Sequence, residues 1–293
     1  MKLNKLHFFL VMLSVSFGIL AEIQENESPS LFSDRSILLG VHRGGRDQWP
    51  ENTLMAFKSV TRRWPDALLE LDIHVTADGQ VVVIHDDTVD RTTNTAGVIR
   101  NMTLAEIRAL DAAYRFSPDA GKSFPYRGKG ITIPTLHEVL QVSPSHRFLI
   151  EMKDGEGIVA ATIAAIREAG AANRCILASI SPQFMEDTRR IAPEIFTCYD
   201  FMSAALLLSE LRYGNWNTHI PEHKMIALSP ALQKRFNLTQ KEIQSLRKKG
   251  ILVTFWTINQ ETEMRRILKI GVDSILTDRP NVLAKILAEH RKK

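Results

Sequence analysis

A handful of ionisable residues in this 293-residue chain are spaced as chemistry would need them. Glu70 and Asp72 stand two apart in Leu68-Leu69-Glu70-Leu71-Asp72-Ile73-His74-Val75, so on a strand they point to one face. A strand this apolar is expected to be buried, and two buried carboxylates side by side repel unless a cation compensates. A single divalent ion does so economically, and Mg²⁺ or Ca²⁺ prefers carboxylate oxygen. Glu151 and Lys153, in Ile150-Glu151-Met152-Lys153, share a face in the same way and offer a third carboxylate. Arg43 and Lys153 could clamp an anion with charge-assisted hydrogen bonds. His42 and His85 carry imidazoles that titrate near neutral pH, as a general acid and base must. The set suggests metal-assisted cleavage of a phosphate ester.

These residues lie far apart in the chain, so a scaffold must bring them together. Short apolar runs alternate with amphipathic stretches, which indicates βα units around a parallel sheet. Strands are expected at Ile37 to Val41, Leu68 to Val75, Phe148 to Glu151, Cys175 to Ala178, Ile195 to Cys198, Met225 to Leu228, Ile251 to Trp256 and Ser274 to Thr277. Val81 to Ile84 follows Val75 too closely for a parallel crossover, and Asp78-Gly79 between the two runs signals a hairpin that returns His85 and Asp86 toward the carboxylates. The remaining eight runs predict a closed (β/α)8 barrel, an α/β fold whose sites lie at the C-terminal strand ends. His42, Arg43, Glu70, Asp72, Glu151, Lys153 and Trp256 all fall at such ends. Thr103, Thr135 and Thr239, each with a glutamate three residues on, spell capping boxes, and Asn259 and Asp278 suit the N-caps of the last two helices.

Other polar residues receive plainer readings. His74 shares the parity of Glu70 and Asp72 but lies farther out, and is expected at the surface. Glu51 and Asn52 are expected to start the first helix, Arg91 to stabilise the hairpin arm, and Asp86 or Asp87 to orient His85 or cap a turn. Tyr114 to Gly130 breaks the alternation with aromatic, basic, Pro and Gly residues; it is either a lipid- or ligand-binding loop or a connector packed by its own aromatics. Residues 1–21, with Lys2 and Lys5 before an apolar run, read as a secretory signal, and 22–35 as a flexible lead-in to one domain over 36–290. The protein is thus expected to be periplasmic or secreted, an uncleaved N-terminal anchor being the alternative. Cys175 and Cys198 fall toward opposite barrel ends and are expected as thiols. A net charge of +4 and pI near 9.1 suit an anionic substrate or surface, and no nucleic-acid motif accompanies them.

The motifs His42-Arg43-Gly44, Pro50-Glu51-Asn52-Thr53, Glu70-Leu71-Asp72, Thr76-x-Asp78-Gly79, Val83-Ile84-His85-Asp86 and Arg91-Thr92-Thr93 together resemble the glycerophosphodiester phosphodiesterase family. Glu151-x-Lys153, Trp256-Thr257-Ile258-Asn259 and Thr277-Asp278-x-Pro280 continue the likeness, in order, from Ile37 to Ala288. The resemblance implies a barrel of the phospholipase-C-like phosphodiesterase type, with a hairpin arm and a short inserted loop. It implies that Glu70, Asp72 and Glu151 hold Mg²⁺ or Ca²⁺, that His42 and His85 are the acid–base pair, that Arg43 and Lys153 hold the phosphate, and that Trp256 shapes the pocket for the alcohol. The implied reaction releases sn-glycerol 3-phosphate, with water or the substrate's own glycerol hydroxyl as nucleophile. Two alternatives stand beside it: a lysophospholipase-D-like activity, and a non-catalytic barrel binding phosphorylated ligands. Headgroup, metal identity and oligomeric state stay open.

Overall fold

The computed structural model describes residues 37–153 and 155–291. The expected signal and lead-in, 1–21 and 22–35, lie outside the described residues. Among the described residues no helix is long and apolar enough to cross a membrane. The strands are β1 (Leu38–Val41), β2 (Leu68–Val75), β3 (Val81–Val83), β4 (Arg147–Met152), β5 (Cys175–Ala178), β6 (Phe196–Tyr199), β7 (Met225–Leu228), β8 (Leu252–Phe255) and β9 (Ser274–Thr277). All but β3 run parallel in the order β1-β9-β8-β7-β6-β5-β4-β2, and pairing of β1 with β2 closes the barrel. β3 lies antiparallel on β2, with Ile73 opposite Val83 and Val75 opposite Val81, and is the returning arm of the hairpin. Gly79 takes φ 77° in its turn, a conformation open to glycine.

The helices are α1 (Leu54–Arg63), α2 (Leu104–Arg108), α3 (Leu136–Val142), α4 (Ile158–Glu168), α5 (Pro182–Ile191), α6 (Phe201–Tyr213), α7 (Pro230–Arg235), α8 (Gln240–Lys248), α9 (Glu261–Lys269) and α10 (Pro280–His290). The three predicted capping boxes form, at the starts of α2, α3 and α8. Asn259 and Asp278 are not the N-caps expected of them. Gln260 and Arg279 precede α9 and α10 without side-chain caps, because Asn259 and Asp278 bond to each other and, through Asp278, to His42.

Strand alternation explains how the core yields to a site. Outward residues such as Leu69, Leu71, Phe148, Ile150, Leu177, Val253 and Ile275 pack under the helices. Inward residues begin as Leu38, Leu68, Leu149, Ile176, Cys198, Met225, Leu252 and Leu276, which fill the barrel floor. Each buried leucine there contributes roughly 1.5–3 kcal/mol. Two and four residues farther up β2 the same inward face carries Glu70 and Asp72, and β4 carries Glu151 above Leu149. Cys175 belongs to the helix-facing core and Cys198 to the barrel floor; both are buried free thiols, each pushed up to about 12 by burial.

The arm has its own small core, built on Val82, Ile84, Val89, Ile99, Ile107, Leu110 and Ile133. The segment 114–130 that follows packs on itself. Arg127 stacks 3.8 Å over Phe124 and 4.2 Å over Tyr114, and Phe116 meets Tyr126 at 5.6 Å. Its aromatic rings are half-buried, as in a self-packed connector, while its basic residues face solvent.

Candidate functional site

The mouth of the barrel is assembled from the turn after β1, the upper ends of β2 and β4, the arm and the ends of β8 and β9. Immediately after β1 the chain makes a tight helical turn over His42–Gly44, with Arg43 at φ 51° and Gly44 at φ 78°. That turn aims the Arg43 backbone N–H at Glu70 Oε2, 3.0 Å away. A Cβ on Gly44 would stand 2.8 Å from the Ala56 Cβ, so glycine lets the turn dock on α1.

Register places Asp72 beside Glu151 on the neighbouring strand. Ligand oxygens of Glu70, Asp72 and Glu151 all lie within 4.8 Å of one another, Glu70 and Asp72 buried and Glu151 half-buried. Lys153 Nζ sits 2.9 Å from Asp72 Oδ1 and 2.8 Å from Glu151 Oε2. Arg43 Nε lies 3.2 Å from Asp72 Oδ2, which also accepts from Asn52 Nδ2 at 3.0 Å. Burial opposes charge on Asp72, but Lys153 and Arg43 outweigh it and hold the carboxyl below its ordinary value. Glu70 goes the other way: burial, then the charge of Asp72, lifts it to about 8. Lys153 is held above the usual lysine value, because Asp72 and Glu151 outweigh its burial. Both expected phosphate-binding cations are therefore engaged with the carboxylates here.

Each histidine is held at Nδ1 by an aspartate. His42 Nδ1 donates to Asp278 Oδ1 at 2.6 Å, and its Nε2 lies 3.9 Å from Glu70 Oε2. Burial works against the imidazolium, yet Glu70 and the Asp278 hydrogen bond prevail and raise the His42 pKa. Asn259 fixes Asp278 in turn: its Nδ2 donates to Asp278 Oδ2 at 2.8 Å, and its Oδ1 accepts from the Asp278 N–H at 2.9 Å and from Thr277 Oγ1 at 3.0 Å. On the arm, His85 Nδ1 donates to Asp86 Oδ1 at 2.6 Å. Arg91 Nε donates to Asp86 Oδ2 at 2.7 Å, and its two terminal nitrogens donate to Glu51 at 2.8 Å each. Burial would raise the Asp86 pKa, but the bonds from Arg91 and His85 lower it to about 2. Trp256 stands one residue beyond β8, exposed at the rim.

Two plainer expectations need correction. His74 is not at the surface. The arm folds over it and leaves it 5% exposed, with Nε2 3.1 Å from the His85 carbonyl oxygen, and burial lowers its pKa. As a neutral donor it supports the main chain that carries His85. Glu51 and Asn52 do not start α1: Thr53 caps it, accepting from the Ala56 N–H, while Asn52 at φ 56° bonds Asp72 and Glu51 bonds Arg91 and Arg43. Arg91 does stabilise the arm, and it also ties the arm to the β1 side through Glu51. Asp278, Asn259 and Glu51 were missed as site residues, although the motifs containing them were visible.

The donor set suits a hard divalent cation. It is all carboxylate oxygen, with one ligand atom from each of the three residues within 4.8 Å of the others.

The chain is similar to known proteins in both sequence and fold. The model of the glycerophosphoryl diester phosphodiesterase family matches residues 42–282. A glycerophosphodiester phosphodiesterase of Caldanaerobacter subterraneus subsp. tengcongensis is 34% identical over 256 residues, covering 85% of this chain and 97% of that one. The crystal structure of glycerophosphodiester phosphodiesterase from Agrobacterium tumefaciens superposes with TM-score 0.69 at 28% identity, over 85% of this chain and 99% of the other. A phosphodiesterase from Oleispira antarctica, solved with its product sn-glycerol-3-phosphate, shares the fold at TM-score 0.69 and 22% identity, over 85% and 96% of the two chains.

Proposed function

Because the chain belongs to the glycerophosphoryl diester phosphodiesterase family, and is a phosphodiester hydrolase of that type, we propose that it cleaves glycerophosphodiesters to sn-glycerol 3-phosphate and a free alcohol, with His42 and His85 moving the protons. One observation carries the reading. Two imidazoles, each anchored at Nδ1 by an aspartate at 2.6 Å, reach the mouth from β1 and from the arm beside a three-carboxylate cluster. Anchoring Nδ1 leaves each Nε2 for the substrate.

The reaction needs one proton taken from the nucleophile and one given to the leaving oxygen as the P–O bond breaks. One imidazole does each, the nucleophile being water or the substrate's glycerol hydroxyl. Asp278 and Asp86 stabilise the imidazolium in whichever histidine carries the charge. Asn259 keeps Asp278 in place and Arg91 keeps Asp86 in place, so neither ring must reorient during transfer. Arg43 and Lys153, already beside Asp72, are placed to share their charge with the phosphoryl oxygens. Glu70, Asp72 and Glu151 would hold Mg²⁺ or Ca²⁺, which when bound would supply further neutralisation of charge on those oxygens. Trp256 at the rim bounds the space for the alcohol.

A panel of glycerophosphodiesters differing in alcohol, with lysophosphatidylcholine included, tests this by measuring the released alcohol together with its phosphate partner, sn-glycerol 3-phosphate or, from lysophosphatidylcholine, lysophosphatidic acid, with and without chelator. The expected result is chelator-sensitive release from glycerophosphodiesters. Release from lysophosphatidylcholine alone would favour a lysophospholipase-D-like activity, and no release from any substrate, metal added, would leave a barrel that only binds phosphorylated ligands.

A further inference from the structure

Large exposed apolar side chains gather at one end of this barrel. Ile180 follows β5 and is 81% exposed; Phe201 and Met202 open α6, after β6, at 49% and 58%. Leu206 lies one turn along the same face as Met202, at 68%, and exposed Trp256 stands just past β8. The parallel strands all end at the mouth, so these residues belong to its rim. β5, β6, β7 and β8 are consecutive neighbours in the barrel, which makes the rim residues one arc. Phe236, following α7, continues it, its ring centroid 6.2 Å from that of Phe201. The facing arc of β9, β1, β2 and β4 carries the ionisable residues of the site. Ile191, Tyr213 and Ile220, also exposed, lie toward the strand starts, at the ends of α5 and α6 and before β7.

Scattered exposed apolar residues need no explanation, but a continuous arc beside a substrate entrance does. Its surroundings give the charge of what covers it. Lys234 and Arg235, exposed at the end of α7 next to Phe236, form no side-chain ion pair among the described residues. Lys122 and Lys129 are also exposed, on the 114–130 segment, which is tied to the arm by Arg115 Nε donating to the Thr93 carbonyl at 3.2 Å. Apolar side chains that enter an acyl boundary, flanked by cations at headgroup level, fit an anionic phospholipid surface.

We propose that the β5–β8 arc of the rim docks on an anionic bilayer, with Ile180, Phe201, Met202 and Leu206 entering the lipid and Lys234 and Arg235 meeting lipid phosphates. Only one arc is apolar, so the barrel leans on the bilayer and the polar arc stays open to water. The docking does not depend on the phosphodiesterase reading, and its test reads no turnover.

Cys175 and Cys198 are buried, so a thiol introduced at the surface is the one that labels. An environment-sensitive fluorophore is attached to Met202→Cys and, separately, to Tyr213→Cys at the far end of α6, in the full chain. Vesicles of phosphatidylcholine mixed with phosphatidylglycerol are added, with and without brominated acyl chains as quencher. The label at 202 is expected to shift to the blue and be quenched, and the label at 213 to do neither. Lys234→Glu with Arg235→Glu should abolish most of the response at 202. Both labels carry the same N-terminus, so tethering elsewhere in the chain produces no difference between them. Equal responses at both positions, or none at 202, would overturn the proposal, as would a blue shift that grows with protein concentration without vesicles, the sign of a second copy on the rim.

Discussion

Glu70 shows how strongly burial governs this site. Its pKa of about 8 stands above the ordinary 4.5, so without metal the folded protein keeps a proton there that the unfolded chain releases. Below pH 4.5 both states are protonated and there is no penalty; between 4.5 and 8 stability is lost progressively as pH rises. Metal-free Glu70→Gln should therefore gain thermal stability over wild type in an increasing amount across that window, measured by melting in chelator. A constant gap would contradict the shift. Arg91 acts at one remove, through Asp86 and Glu51. Arg91→Ala is expected to lower kcat by roughly 10–10²-fold with little change in KM, because misplacing a proton-transfer group costs about that much. Arg91→Lys should recover only part of the rate, since a lysine cannot reproduce the paired bonds to Glu51. At this scale the sequence was informative where neighbours define a face, as for Glu70 with Asp72 and Glu151 with Lys153. It was misleading where a partner lies far along the chain: Asp278 looked like a helix cap, and nothing local says that His42 claims it from 236 residues away.

Among the elements, the turn after β1 and the hairpin arm do most of the positioning. Gly44→Ala should cost stability by about 1–3 kcal/mol, since φ 78° disfavours a side chain and its Cβ would press on Ala56. Urea unfolding of the purified variant checks this, and a neutral result would mean that the turn relaxes freely. The arm was legible because Asp78-Gly79 and the short gap after Val75 permit only a hairpin. The burial of His74 was not, because it depends on what the arm covers once β3 pairs with β2. Capping boxes were read correctly at three helix starts, where both partners lie within one turn.

For the whole molecule, barrel closure converts eight separate strand ends into one rim. Alternating apolar runs made the closed barrel readable, since inward and outward positions repeat with a period of two. Strand limits moved by a residue or so, as at β6, which ends on Tyr199 rather than Cys198. The division of the rim into a polar and an apolar arc was not readable, because it joins residues from loops whose side-chain exposure the strand pattern does not set. The same closure carries the functional account, since His42 and His85 meet one carboxylate cluster only if β1 and β2 pair. The measurement that tests this most directly is kcat of His42→Ala, His85→Ala and the double variant, with divalent-metal binding followed by calorimetry in each. Each single change should lower kcat by roughly 10²–10⁴-fold with metal binding retained. The double variant should lose far less than the product of the two, because the pair acts as a unit. A near-wild-type rate in either single variant would contradict the account.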